Sequence, residues 1–518
     1  MVVKIPPSTK ILLSIASGIL IALSFPTVLF GWHLPNFGFF AWFGLVPLII
    51  AIQDAPPREA FKCGYLFGLV SFSISWYWLF TALNTFGHLP IATSLVVLAL
   101  LILMMSLYPA LACSLARTFV IKTQSPLLIW LPIFWVLTEC ARNYTPFSGF
   151  PWSPLSMSQT AYLPLIQFAD ITGAYGISFL IVWFNVWLAR SRMEHMVPAT
   201  ICSLLLLALI LGYGFYRLHQ TEQEMAKAPH LKIALIQPNI PQEEKWDEAT
   251  QQKQQVIFKR LVSQVENNAD LIIWPEASFT NNLWLTDDKL SPEDIGLSTH
   301  THARPYTLLG LNFVTLKNGL QRYFNSAALF DAQGNLFGKY HKKHLVPFGE
   351  YNPLQKWLPF IKPVAAVGDF EAGDAYHPIA LENIDIAPLI CYEDIFPEIA
   401  RTMSKQNASL LVNITNDAWY GLSSAPFQHL ALAALRSVET KRTMVRATNT
   451  GVTAVILPTG KVALQSPLFT EGVALYQAPL LILRTTYTRL NDWFIAACFI
   501  FVLWHLVKPY VERIKRKI

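Results

Sequence analysis

Eight apolar runs constrain this chain before any motif is read. They cover about 11–30, 37–53, 63–83, 89–116, 123–138, 171–189, 196–216 and, near the C-terminus, 493–507. A bilayer core is crossed by a helix of about 20 apolar residues, because a helix satisfies every backbone polar group within itself. Only 14% of the residues are charged while 53% are hydrophobic, against roughly 25% charged in ordinary soluble domains. The shortage is local to these windows, which points to a multi-pass α-helical membrane bundle. The first run follows Lys4 and Lys10 like a signal peptide, yet no small-x-small cleavage site follows it, so it reads as a retained anchor.

The basic residues set an orientation. Lys4 and Lys10, then Arg58 and Lys62, Arg117 and Lys122, and Arg190 and Arg192 fall in alternate loops, all on one side if each of the first seven runs spans, and the opposite loops are poor in Lys and Arg, with Arg142 the exception. The tail after the eighth carries Lys508, Arg513, Lys515, Arg516 and Lys517. Basic loops stay cytoplasmic, so both termini are expected there and residues 217–491 on the opposite, periplasmic side of a bacterial inner membrane. The net charge of +6 is thus a topological signal and no sign of nucleic acid. Glu139 and Arg142, at the outer end of the fifth run, and Asp170, just before the sixth, are expected to pair with each other or to anchor the exported domain. The expected division is 1–216 for a seven-helix bundle, 217–491 for a globular domain and 492–518 for an eighth helix and basic tail.

Residues 217–491 read as an α/β domain. β-rich runs recur at 231–237, 271–274, 307–314, 326–330, 384–390, 410–414 and 452–457, with amphipathic helical windows near 248–266 and 427–445. Asp331-Ala332-Gln333-Gly334-Asn335 and Leu457-Pro458-Thr459-Gly460-Lys461 carry hairpin-turn chemistry.

Four strand ends in this domain carry reactive side chains. The run 384–390 ends in Cys391-Tyr392-Glu393-Asp394, with a helix expected near Pro397. A thiol at such a corner would be exposed at its tip and near the positive end of a helix dipole, and both effects favour the thiolate. A lone cysteine is more often a buried, inert thiol. Here Cys63, Cys113, Cys140, Cys202 and Cys498 all lie in or beside apolar runs, so Cys391 has no exported partner for a disulfide. Trp274-Pro275-Glu276 places a carboxylate where proline stops a strand; a solvated loop acid is the alternative. Tyr340-His341-Lys342-Lys343-His344-Leu345-Val346-Pro347-Phe348-Gly349-Glu350 brings lysines to a turn whose apolar residues resist solvation; a lysine near a thiolate lowers its pKa and can donate to an oxyanion. Asn413-Ile414-Thr415-Asn416-Asp417-Ala418-Trp419-Tyr420-Gly421 ends a strand in amides and an acid, where an Asx-turn is the plain reading.

Together, in this order and spacing, Trp-Pro-Glu, Lys-x-His-Leu-Val-Pro-Phe-Gly-Glu and Cys-Tyr-Glu resemble the nitrilase superfamily. The flanking apolar runs, Gly149-Phe150-Pro151-Trp152, Gln237-Pro238-Asn239-Ile240, Trp246 and Thr415-Asn416-Asp417-Ala418-Trp419-Tyr420-Gly421 resemble its membrane branch, the apolipoprotein N-acyltransferases. The resemblance implies an α-β-β-α sandwich and a catalytic triad of Glu276, Lys342 and Cys391, with Lys342 rather than Lys343 because it precedes Glu350 by eight positions. It implies supporting or orienting roles for Glu350, Glu393, Asn325 and Tyr392, and substrate contacts for Trp246, Trp152, Trp419 and Asn416; the composition of the stretch 352–370 adds Trp357 and Phe360. The resemblance implies no cofactor and no metal, a monomer, and as partners the bilayer, a phospholipid acyl donor and a diacylglyceryl apolipoprotein acceptor. A membrane-anchored amidase or nitrilase with the same triad is the alternative, and a transporter with an accessory domain a more remote one. The apolar, Pro-rich stretch 352–370, with Trp357 and Phe360, is expected to be a mobile arm at the membrane interface.

Overall fold

The computed structural model describes residues 5–29, 31–190, 197–298, 305–317, 319–356 and 370–515. The chain divides into two compact units. One comprises Met1–Phe80, Leu89–Arg217 and Leu490–Ile518, the other Thr81–His88 and Leu218–Arg489.

The first unit is helical. Two of its helices are long and apolar enough to cross a membrane, Ile91–Thr123 and Val197–Lys227, and up to four spans result if each bent pair, Pro57–Ser75 with Leu79–Phe86 and Leu163–Thr172 with Ala174–Arg190, counts as one. Pro7–Leu23, Gly38–Ile52 and Trp493–Pro509 are apolar but shorter. Small residues let these helices approach closely, as expected where lipid removes the hydrophobic drive between them. A Cβ on Gly64 would stand 2.7 Å from the Pro109 carbonyl oxygen, and one on Gly68 2.9 Å from Ser106 Cα. The charged residues brace loops. Glu139 accepts from Trp135 Nε1 (3.1 Å) and the Leu155 amide (3.0 Å), while Arg142 donates to the Trp152 carbonyl at 3.3 Å. Glu139 and Arg142 therefore hold the Trp152–Leu155 stretch instead of pairing with each other. Asp170 pairs with Arg217 (2.6 Å) and accepts from Tyr213.

The second unit is an α-β-β-α sandwich. One sheet runs in the order Gly472–Pro479, His230–Gln237, Leu271–Ile273, Tyr306–Lys317, Leu320–Phe330, Leu336–His341. The other runs Val462–Gln465, Ala454–Ile456, Thr443–Thr448, Leu410–Thr415, Ile384–Ile390, Ile379–Leu381. Both are parallel at the centre and antiparallel at the edges. The sheets face each other, and helices cover the outer faces: Gln251–Ser263 on the first, Pro397–Lys405 and Ala425–Thr440 on the second. Strands covered on both sides read as unbroken apolar runs, which is why 384–390 and 410–414 were legible. On the first sheet Phe258 stacks on Trp274 at 4.0 Å, and Leu261 and Val262 join Ile272, Leu309 and Ala328 in one core.

Both hairpin turns form as expected, joining Leu320–Phe330 to Leu336–His341 and Ala454–Ile456 to Val462–Gln465. The helical window 427–445 overran. The helix ends at Thr440, Lys441 takes a left-handed conformation (φ 53°), and Thr443–Thr448 is a strand between two others. A lysine in place of the usual C-terminal glycine leaves no stop signal to read.

Candidate active site

The glutamate stretch interrupts a strand. Leu271–Ile273 pairs with Tyr306–Leu308, and the Trp274 amide still donates to the Leu308 carbonyl (2.9 Å). Pro275 has no N–H, so the ladder skips a step and resumes where the Ser278 amide meets the Gly310 carbonyl (2.8 Å). Beyond it Phe279–Trp284 continues along Tyr306–Lys317. The skipped residues arch over Gly310. A Cβ there would lie 2.3 Å from the Pro275 carbonyl oxygen and 2.7 Å from Glu276 Cα, so only glycine permits the arch. Glu276 is thereby set out of the ladder yet remains 8% exposed.

The cysteine stretch turns sharply. Ile384–Ile390 ends and Cys391 adopts φ 51°, a left-handed conformation rare for a side-chain-bearing residue. The strain is held from several sides. Glu393 Oε2 accepts the Ile390 amide (2.9 Å), and Asn413 Nδ2 donates to the Cys391 carbonyl (3.1 Å). Glu393 Oε1 accepts from Tyr340 Oη (2.8 Å) and from the amides of Lys343 (3.0 Å) and His344 (3.1 Å). One buried carboxylate thus fastens the cysteine turn to the lysine loop.

Lys342, at the end of Leu336–His341, is 1% exposed. Its Nζ lies 2.9 Å from Glu350 Oε2 and 3.8 Å from Glu276 Oε1. Asn325 Nδ2 bridges the two carboxylates, 2.8 Å from an oxygen of each, and the Val346 amide fixes the remaining Glu350 oxygen at 2.8 Å. Burial by itself would lower the Lys342 pKa, but Glu350, Glu276 and Cys391 hold it above the ordinary lysine value. Lys343 turns away: its Nζ donates to the Asp374 carbonyl at 2.6 Å and sits over the Tyr376 ring.

Two expectations are corrected. The thiol is not exposed at its tip: Cys391 is 7% exposed and opens a short 3-10 turn, Cys391–Ile395, with the α-helix starting only at Pro397. Burial, and the Glu276 charge after it, push its pKa well above the ordinary value, against the opposing pull of Lys342 and the Thr415 hydroxyl. The resting group is therefore a thiol that needs a base. Glu276, for which a solvated loop acid is the alternative reading, is likewise enclosed by the sandwich, as is Lys342.

The remaining expected residues scatter. Tyr392 is buried against Phe396 (4.9 Å) beside the thiol. Asn416 donates to Gln242 (2.6 Å) and accepts from Asn449 (3.2 Å), tying strand ends to the loop that carries half-buried Trp246. Trp419 meets Phe86 edge-on at 5.8 Å. Trp152 belongs to the helical unit, buried against Trp78 (4.9 Å). Trp357 and Phe360, with most of the stretch 352–370, lie outside the described residues. Among the described residues no group of three or more His, Cys, Asp or Glu is placed to hold a metal ion.

The two halves match two family models: residues 17–187 match the apolipoprotein N-acyltransferase N-terminal domain, and residues 232–483 match carbon-nitrogen hydrolase. The apolipoprotein N-acyltransferase of Geobacter metallireducens is 38% identical over 504 residues, 95% of this chain and 94% of its own. That of Nitrosomonas europaea is 35% identical over 81% of this chain and 82% of its own, and that of Shewanella oneidensis 32% identical over 85% of each. The chain belongs to the apolipoprotein N-acyltransferase family. As a member of that family it is an enzyme, an acyltransferase.

In this apolipoprotein N-acyltransferase the site extends further than its motifs. Behind Cys391, wholly buried His429 joins Asp394 (Nε2 to Oδ1, 2.6 Å) to Asp417 (Nδ1 to Oδ1, 3.1 Å), and Arg446 closes the cluster by bonding Asp394. The Thr415 hydroxyl, one of the groups that oppose the rise in the Cys391 pKa, donates to Asp417 at 3.3 Å. Asp394 and Asp417 fall inside motifs that were read. His429 and Arg446 come from a helix and a strand with no local signal. Lys245 was also missed: Gln242-Glu243-Glu244-Lys245-Trp246 reads as a solvated charged run, yet Lys245 is 3% exposed and donates to the Glu276 carbonyl at 2.9 Å.

Proposed function

We propose that this acyltransferase moves a fatty acyl chain from a phospholipid, through a thioester on Cys391, to the N-terminal amine of a diacylglyceryl-cysteine apolipoprotein. The observation that carries the reading is the enclosure of one thiol, one carboxylate and one lysine at three strand ends, in a chain whose other half is apolar helix. Cys391 Sγ attacks the ester carbonyl carbon while Glu276 takes the thiol proton. Lys342, with the main-chain N–H of Tyr392, holds the oxyanion. When the tetrahedral adduct collapses, the C–O bond breaks and the lysophospholipid alkoxide leaves with the proton from Glu276. The neutral α-amine then attacks the thioester, Glu276 takes an amine proton, and collapse forms the amide and returns that proton to sulfur. A buried thiol with a raised pKa suits both steps. It is inert until a base acts, and a thioester is activated enough for an amine to open. Glu350, Asn325, Glu393 and Tyr392 hold Lys342 and the cysteine turn, and substrate contacts fall to Trp246, Trp419 and Asn416.

The test is mass analysis of the intact protein. The wild type incubated with phospholipid gains one acyl mass that hydroxylamine removes. Adding a diacylglyceryl peptide discharges it as N-acyl peptide, whereas water alone discharges it slowly. No adduct on the wild type, or rapid hydrolysis without a peptide product, sinks this reading, and the second outcome favours an amidase.

We also propose that the apolar windows form seven spans before residue 217 and one after 491, with both termini cytoplasmic and the catalytic domain periplasmic. The alternation of the basic clusters supports it. A reporter fused after Tyr216 that works only outside the cytoplasm is expected to be active. Activity there of a reporter that works only in the cytoplasm overturns the span count.

A further inference from the structure

A second lysine stands at the catalytic glutamate and takes no part in the mechanism above. Lys245 is buried, and its Nζ donates to the Glu276 main-chain carbonyl at 2.9 Å. That is its one hydrogen bond from Nζ among the described residues, and no carboxylate lies within ion-pair distance of it there. Glu244 and Asp247, its neighbours in the loop, turn elsewhere. Glu244 pairs with Lys253 at 2.9 Å, and Asp247 accepts the Ala249 amide at 3.0 Å. The charges facing Lys245 are Glu276 and, when ionised, Cys391.

Its place is built. Gln254 Nε2, on the helix Gln251–Ser263, donates to the carbonyls of Glu244 (2.8 Å) and Lys245 (3.3 Å), and the Thr250 hydroxyl donates to the Glu244 carbonyl (2.6 Å). At the other end of the loop, Asn449 holds both the amide (2.9 Å) and the carbonyl (2.8 Å) of Ile240. The ammonium is thus delivered by a loop fixed at both ends. A mere tether for a carbonyl needs an N–H donor but no charge, and burying an unpaired ammonium is costly.

We propose that Lys245 is a second cationic positioning residue of the acyl-transfer reaction, pinning the arch that carries Glu276 and lending its charge to the Glu276–Cys391 couple. The inference rests on the roles of Glu276 and Cys391 given above. Transfer of the thiol proton to Glu276 moves a negative charge from carboxylate to sulfur without changing the total. Lys342 flanks that couple from the carboxylate side, at 3.8 Å, and Lys245 from the main-chain side. With the proton on Glu276, the nascent thiolate and Glu350 are balanced by Lys342 and Lys245, whereas without Lys245 the same site carries one net negative charge. Burial lowers the Lys245 pKa to about 8, with Glu276 and Cys391 acting against that fall. The charge is therefore present at neutral pH and is lost as the pH rises through about 8.

The test reads Cys391 directly, with no lipid required. The full chain in detergent is treated with a small neutral alkylating reagent, and the rate at Cys391 is followed by mass from neutral to alkaline pH. Acylation by phospholipid and thermal unfolding are measured beside it. Lys245→Met is expected to slow alkylation and acylation together by about tenfold, the effect of one unit of pKa. Lys245→Arg, which keeps its charge at high pH, recovers most of the lost rate and moves the alkaline limit of acylation upward. Wild-type alkylation and an unmoved pH profile in a folded Lys245→Met overturn the proposal. If Lys245→Met does not fold, an alkaline limit in Lys245→Arg identical to that of the wild type overturns it. Failure of the acyl-transfer reading is separate, since it shows as a wild type that alkylates but never acylates.

Discussion

Lys342→Met is expected to lower the rate of Cys391 acylation by roughly a hundredfold to a thousandfold, the usual effect of removing one oxyanion donor. Lys343→Met is expected to leave it nearly unchanged. The two lysines are adjacent in sequence and opposite in environment. Lys342 is enclosed between Glu350 and Glu276 and is the cation that most opposes the rise in the Cys391 pKa. Lys343 spends its ammonium on a main-chain carbonyl at the surface. Methionine keeps much of the side chain's length and volume, so the cavity stays filled. Its cost is two neighbouring carboxylates without their cation, which then share a proton. Because Lys342 is wholly buried, fold retention must be checked by thermal unfolding beside the kinetics. Acyl-enzyme formation by intact mass decides the outcome, with Cys391→Ala as the variant that takes no acyl group. A near-normal Lys342→Met beside an inactive Lys343→Met would show the wrong lysine in the site.

His429→Leu is expected to destabilise the catalytic domain by roughly 3–5 kcal/mol, the usual cost of removing one partner from a buried ionic cluster. In a unit of this size that is a fall in Tm on the order of ten degrees. With His429 protonated, the cluster balances Asp394 and Asp417 against His429 and Arg446. Without it two buried carboxylates face one guanidinium. The pH dependence has a definite sign. Burial tends to lower the His429 pKa, but Asp394 and Asp417 overcome that and the Arg446 charge, and raise it from 6.5 to about 9. A raised folded-state pKa contributes stability that is complete below the unfolded value and is lost as the pH climbs through the folded one. Wild-type stability should therefore decline between about 6.5 and 9. Asp417 behaves oppositely: His429 and Arg446 hold it below its ordinary value against burial, so its contribution is lost on acidification. Unfolding of the full chain in detergent, followed from below pH 3.8 up through about pH 9, checks both. His429→Leu should lose the alkaline decline along with the stability. An unchanged slope in the variant would place the proton elsewhere.

How much was legible differs by element. Apolar runs announce membrane helices and doubly covered strands because burial on all sides demands apolar residues on all sides. Pro275, the Asn and Gly of the turns, and the run ending in Cys391 are punctuation that acts locally. From these came the hairpins, the strand bearing the thiol and, through resemblance, the family.

What the sequence could not decide was every property that depends on neighbours distant along the chain. Whether Cys391 is ionised or protonated is set first by its burial within the sandwich and then by Glu276, Lys342 and Thr415, none of which adjoins it. Gly310 looks like any glycine in a strand until the arch of Glu276 is found lying on it. His429 and Arg446 sit in an ordinary helix and strand, and only the stacking of those elements beneath Asp394 makes them a cluster. Lys245 reads as a solvated charge because hydration is the default for lysine. Its burial follows from Asn449 and Gln254 closing the loop around it. Composition and periodicity report which residues must avoid water. Tertiary structure alone determines which charges then face one another without it, and at that point the chemistry of the site is set.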